Sequence, residues 1–196
     1  MGTRRTAVIV ILLVSLATLA AACGSSGGPT SYTSTDYKFS LTYDSSVLTQ
    51  STSISAAGTA GGKSVFDVGF VDTKGTKVGG EYRDGVVVSV YKLNQTVTDA
   101  MLPLVKAELE KILPQLESAL GSGSTLRALT EVDLNGVKGF STSGSYSVDG
   151  TKFTAKLYFL INGNLEYEIT TQAAEARWQQ MQPAFKQIVD SFKATK

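Results

Sequence analysis

The sequence predicts an α+β domain: an antiparallel β-sheet, read as a meander, flanked by two amphipathic helices. Three observations carry this reading. Several stretches alternate apolar and polar residues with a period of two, as half-buried strands do. Two stretches, 102–116 and 178–192, instead place apolar residues three and four apart, as helices with one buried face do. Asn-Gly and Asp-Gly pairs separate the later strands, and such pairs are strong hairpin signals. A sheet with one apolar face needs cover, and two helices are available to supply it.

The elements follow in order. Tyr37, Phe39, Leu41 and Tyr43 alternate with Lys38, Ser40 and Thr42, which predicts a first strand ending at the turn Asp44-Ser45-Ser46. Residues 51–57 read as a weak strand and 58–62 as a loop. Phe66, Val68 and Phe70 mark the next strand, and 73–80 a glycine-rich turn. Val86, Val88 and Val90 have Val87 and Tyr91 on the other side, so burial of both faces and a central position are expected. Leu102, Val105, Leu109, Ile112, Leu113 and Leu116 form the stripe of the first helix. Thr98 is its candidate N-cap. Pro114 should kink or end it, and Gly121-Ser122-Gly123 stops it in any case.

Four strands come next: 126–134, 137–148, 153–161 and 165–170. The turns between them are Asn135-Gly136, Asp149-Gly150 and Asn162-Gly163-Asn164, giving three consecutive hairpins. Trp178, Met181, Phe185, Ile188, Val189 and Phe192 then form a second helical stripe. Pro183 suits a first helical position, so the helix is expected to start there after a leading turn.

The N-terminus has a different character. Residues 1–6 are basic, and 7–22 are an uncharged, mostly apolar run of 16 residues. That is shorter than the ~20 residues of a comfortable membrane span. Leu19-Ala20-Ala21-Ala22-Cys23 resembles a bacterial lipobox, with cleavage between Ala22 and Cys23 and lipid on the Cys23 sulfur. Ala20 stands three residues before the cysteine, where leucine is commonest. An uncleaved N-terminal anchor is the alternative. Arg4-Arg5 suggests twin-arginine export, but Thr6-Ala7-Val8 lacks the hydrophobic pair usual in that signal. Two acyl chains on Cys23 would anchor stably where one would be marginal. Residues 24–36 read as a flexible tether of about 20 Å root-mean-square span. The organisation expected is a signal peptide over 1–22, lipidated Cys23 and tether over 23–36, and one domain over 37–196. The location expected is the extracytoplasmic face of a bacterial cell membrane.

Composition removes several functions. Lys+Arg is 18 and Asp+Glu 17, and two of the positive charges, Arg4 and Arg5, leave with the signal. No basic surplus points to nucleic acid. There is no histidine, hence no imidazole base or ligand, and the one cysteine is Cys23, so no internal disulfide or thiolate metal site is available.

Four patterns suggest chemistry and are each read structurally. The stretch Ala57-Gly58-Thr59-Ala60-Gly61-Gly62-Lys63-Ser64 approximates a phosphate loop, but Val65-Phe66-Asp67-Val68 after it alternates as a strand where that motif needs a helix. It is read as a hairpin loop. Ser89-Val90-Tyr91-Lys92 has the spacing of an acyl-enzyme signature that works on a helix; on a strand, positions i and i+3 point to opposite sides, so these are read as solvent-facing strand residues. Asp67, Asp72, Glu81 and Asp84 lack the spacing of a calcium loop and are read as solvated loop ends. Trp178, Phe185, Phe192, Phe159 and Tyr167 are read as core, with a ligand cavity as the alternative. No catalytic, cofactor or metal residues are assigned, and no enzyme is expected.

The opening Tyr37-x-Phe39-Ser40-Leu41-x-Tyr43, the long middle helix, the meander and the closing Trp178…Phe185…Ile188…Ser191-Phe192 together resemble the PsbP-like superfamily, including its cyanobacterial and LpqN-type envelope lipoproteins. The resemblance covers nearly all of 37–193. It implies an antiparallel sheet flanked by helices and a non-enzymatic role, often docking on a membrane complex. The expected function is a lipid-anchored, non-catalytic envelope lipoprotein that docks a protein partner at the membrane surface. The alternative is a carrier or sensor of an apolar small molecule or lipid held between the sheet and the 102–116 helix.

The anchor is directly testable. The chain recovered from its host membranes should begin at Cys23 and carry acyl chains by intact-mass measurement, whereas Cys23→Ser should keep residues 1–22. A Cys23→Ser chain processed and retained like the parent would overturn the lipobox reading.

Overall fold

A computed structural model describes residues 27–51, 63–121 and 123–195. Ala22, Cys23 and the whole signal lie outside the described residues. The architecture is mixed α+β, with antiparallel sheets flanked by two helices, as the periodicity predicts.

Among the described residues the main sheet is built from seven elements. These are β3 (Thr49–Ser51), β4 (Phe66–Val71), β7 (Gly85–Val97), β11 (Thr151–Ala174), β10 (Val137–Val148) and β8 (Thr125–Leu126), in that order, with β9 (Thr130–Leu134) also on β10. Of these, β11 is folded back on itself. A smaller sheet joins β1 (Pro29–Ser34), β2 (Phe39–Asp44) and β12 (Lys193–Ala194), and β5 (Lys77–Val78) pairs with β6 (Glu81–Tyr82). Helix α1 spans Leu102–Ala119 and α2 spans Trp178–Ser191. No helix among the described residues is long and apolar enough to cross a membrane.

The two faces of the main sheet carry separate cores. On one, Val68, Phe70, Val86, Val88, Val90, Leu160, Tyr167 and Ile169 pack against α2 and the small sheet through Met181, Phe185, Ile188, Phe192, Phe39 and Leu41. On the other, Phe153, Ala155, Leu157 and Phe159 pack against Leu109 and Leu116 of α1. Strand β7 lies between β4 and β11 and is buried from Gly85 through Tyr91, which places it centrally as its two-sided apolar pattern predicts.

Several elements differ from the sequence reading, each for a physical reason. The expected tether is shorter: Pro29–Ser34 form β1, paired along its length with β2. Its alternation is of Ser, Thr and Tyr, so no apolar period marks it. Residues 24–26 alone then lie between Cys23 and the described residues. Asn162-Gly163-Asn164, by contrast, turns the chain as expected, inside β11: Thr171 Oγ1 donates to the Lys156 carbonyl at 3.3 Å, a contact that residues 15 apart make only where the strand folds back on itself. The arm before the turn pairs with β10 and the arm after it with β7, and Gly163, with φ +66°, supplies the left-handed residue of the turn. The stretch 126–134 divides into β8 and β9. Pro114 does not stop α1, and α2 starts at Trp178 rather than at Pro183: both prolines face solvent, where water can satisfy the carbonyl freed by each missing N–H. Thr98 does stand at the start of a helical segment, ahead of the tight turn Asp99–Met101, but its side chain makes no capping bond.

The loop carboxylates are the clearest correction. Asp72 and Asp84 are buried, Asp84 completely, rather than solvated. Arg177, in the turn before α2, places Nε 2.7 Å from Asp84 Oδ2 and bonds Asp72 through Nη2. Asp84 also accepts the amide N–H of Ala174 at 2.9 Å and of Thr76 at 2.8 Å. This network ties the β5–β6 hairpin, the end of β11 and the start of α2 together. Removing one partner of a buried ion pair strands the other charge, at about 3–5 kcal/mol. Arg177→Met should therefore lower unfolding free energy by about 3–5 kcal/mol in denaturant titration. A loss under about 1 kcal/mol would show the network to be no more than a surface pair.

Candidate functional site

Helix α1 does not lie on the sheet as α2 does. Its backbone comes closest to β8 and to the turn ahead of it, whereas α2 lies closely against β2 and β11. Between α1 and the sheet is a cavity of about 480 Å³. Its apolar wall is Leu109, Ile112 and Leu116 from α1, with Phe159 from β11. Its polar wall is Tyr91 from β7 and Glu166 and Glu168 from β11, and exposed Lys63, Val65 and Lys92 also border it.

The register explains the polar wall. Tyr91 is paired with Glu166, and Ser89 sits between Asp67 of β4 and Glu168 of β11. With side chains alternating across a strand, Ser89 and Tyr91 share a face, as do Glu166, Glu168 and Thr170. Glu168 is only 5% exposed and Tyr91 8%. The Tyr91 hydroxyl, Glu168 Oε1 and Thr170 Oγ1 are all buried without a hydrogen-bond partner in the protein. Each such group costs about 1–3 kcal/mol when left unbonded. The cavity is thus suited to a ligand that is apolar along one side and polar at the other.

Burial, and next the neighbouring Glu166 charge, push the Glu168 carboxyl up to about 8. The Tyr91 and Thr170 hydroxyls are near enough to temper that rise without completing a bond of ordinary geometry. Burial likewise raises Glu166, and burial followed by the Glu168 charge raises the Tyr91 phenol. A carboxyl in this state donates a hydrogen bond when protonated and pairs with a cation when ionised.

The residues singled out in the sequence fall as follows. Lys63 and Ser64 end a stretch whose residues 57–62 lie outside the described residues; Ser64 bonds Asp67 at 2.5 Å, and β4 follows. Ser89 is buried rather than solvent-facing, while Lys92 is exposed. Phe185, Phe192 and Tyr167 belong to the α2 core with Trp178 against them, and only Phe159 of that aromatic set lines the cavity. The pairing of Tyr91 with Glu166 and the burial of Glu168 escaped the sequence reading. The available signal was Tyr91 itself, an aromatic on the second face of a strand already expected to be buried on both sides.

No family model matches this sequence, and no curated protein does. Solved structures do match, at the level of fold. Cyanobacterial PsbP (CyanoP) from Synechocystis sp. PCC 6803 is 17% identical with a TM-score of 0.55, covering 90% of this chain and 99% of that one. LpqN, described as involved in cell envelope biogenesis of Mycobacterium tuberculosis, is 15% identical with a TM-score of 0.51, covering 89% and 88%. A protein of Bacteroides thetaiotaomicron VPI-5482 is 11% identical with a TM-score of 0.55; it aligns with 86% of this chain, which spans about half (49%) of its length. The fold of this chain is therefore PsbP-like.

The raised carboxyl makes a prediction about stability. A glutamate held above its ordinary value takes up a proton on folding, so its contribution is full below the ordinary value and is lost as pH rises toward and through about 8. Glu168→Gln removes that dependence. Its melting temperature relative to the parent should climb between about pH 5 and about pH 9, the variant being favoured at the alkaline end. A difference independent of pH would contradict the assignment.

Proposed function

We propose that this chain is a non-catalytic protein of the bacterial cell envelope, held at the extracytoplasmic face by lipid on Cys23, that binds a small amphiphile beneath α1. One observation carries the binding reading: two buried polar atoms, the Tyr91 hydroxyl and Glu168 Oε1, without protein partners at a cavity whose opposite wall is largely aliphatic. The lipobox supports the location, and the described role of LpqN in envelope biogenesis agrees with it. The weak seating of α1 supplies a route in, since the helix can rise without disturbing the α2 core.

Docking of a protein partner is the second reading, and it has its own observation. Leu104, 66% exposed, projects from the first turn of α1 beside a groove of about 500 Å³ that includes Leu102, Pro103 and Val132. An exposed leucine next to apolar neighbours is the kind of anchor a partner covers.

Native mass spectrometry of the full lipoprotein, gently extracted from its own membranes, separates the two. Bound mass below about a kilodalton, lost in Ile112→Trp where the new side chain fills the cavity, is the result expected for an amphiphile carrier. Bound mass of several kilodaltons, lost in Leu104→Asp, would mark a docking protein instead. No bound mass in either size class would count against both.

A further inference from the structure

The chemistry of the polar wall narrows the ligand class. The geometry points to an amphiphile bearing a protonated amine, its nitrogen against Glu166 and Glu168 and its chain along Leu109, Ile112, Leu116 and Phe159. This rests on the reading that the cavity binds a ligand at all.

Four features lead to an amine. Glu166 and Glu168 are two residues apart on one strand, so both side chains leave the same face of β11. Asp67 stands in the same cross-strand row as Glu168, through Ser89, and its charge is felt at both Glu168 and Tyr91. No ion pair to a described lysine or arginine answers Glu166 or Glu168, although seven such pairs form elsewhere among the described residues. Glu168 keeps Oε1 unbonded inside the cavity, and the Tyr91 hydroxyl beside it is unbonded too. An alkylammonium brings three N–H donors and one positive charge to this wall. It satisfies Glu168 Oε1 and the Tyr91 oxygen together, and its charge offsets the mutual repulsion of the two glutamates. A carboxylate or phosphate there would add a third negative group to the same buried space, and an alcohol would leave the charge unanswered. Lys63 and Lys92 stand at the border and are solvent-exposed, so salt screens their charge more than it screens that of a buried group.

Matched short probes test this on the full chain in lipid nanodiscs, with empty nanodiscs as reference: hexylamine, hexanol and hexanoate, read by calorimetry. Hexylamine is expected to bind at least about tenfold more tightly than hexanol, and hexanoate most weakly. Glu168→Gln should abolish the amine preference, bringing hexylamine down to the affinity of hexanol, while hexanol still binds, a split that general loss of folding does not produce. Equal binding of hexylamine and hexanol would overturn the amine assignment and leave cavity binding standing. Failure of all three probes would overturn both. Lysophosphatidylethanolamine against lysophosphatidylglycerol then distinguishes the source. A preference for the amine-headed lipid marks a membrane lipid as ligand, and binding of hexylamine alone marks a soluble amine; either result upholds the amine.

Discussion

The rest of the structure depends on the hairpin within β11. Its two arms lie side by side at the centre of the main sheet, the first paired with β10 and the second with β7, so that Thr171 returns beside Lys156. Along each arm alternate residues point to opposite faces. Phe153, Ala155, Leu157 and Phe159 of the first arm face α1, while Leu160 of the first arm and Tyr167 and Ile169 of the second face α2. The alternate residues of the second arm, Glu166, Glu168 and Thr170, are thereby turned toward the α1 side, where Glu168 and Thr170 are buried and Glu166 half-buried. The polar wall of the cavity thus follows from the same hairpin that completes the α2 core.

The two helices are held by different means. Among the described residues α2 buries Met181, Phe185, Ile188 and Val189, and the turn ahead of it is fixed by Arg177 to Asp72 and Asp84. Helix α1 buries Leu109 and Leu116. At about 1.5–3 kcal/mol per large apolar side chain, four against two is roughly 6–12 against 3–6 kcal/mol. Opening on the α1 side is therefore the cheaper motion, and binding sites are drawn from the less stable parts of a fold. The tight half supplies a rigid platform and the loose half supplies access.

Much of the fold was legible because its main elements obey simple periods. The alternation in 37–43, 66–70 and 137–148 and the stripes of both helices reappear as strands and helices, and the valines of 86–90 do occupy a central strand. What escaped did so for physical reasons. Pro29–Ser34 pairs through its backbone with side chains that carry no apolar signal. Asp72 and Asp84 look like loop acids until Arg177, about a hundred residues later, arrives beside them. Glu166 and Glu168 read as the solvent side of an alternating strand; the cover that α1 lays over that face comes from tertiary placement, which a period of two does not report. The site was thus less legible than the fold, because its polar groups are defined by tertiary placement and not by spacing.

The central claim is that α1 covers a binding cavity whose polar wall is made by the returning arm of β11 and by Tyr91 of β7. Isotope-filtered nuclear Overhauser measurements on the full chain, saturated with hexylamine, test it most directly. The account predicts contacts from the ligand chain to the methyl groups of Leu109, Ile112 and Leu116 and to the Phe159 ring, with the carbon next to nitrogen close to Tyr91. Contacts confined to the exposed surface around Leu104, or to the α2 side of the sheet, would contradict it.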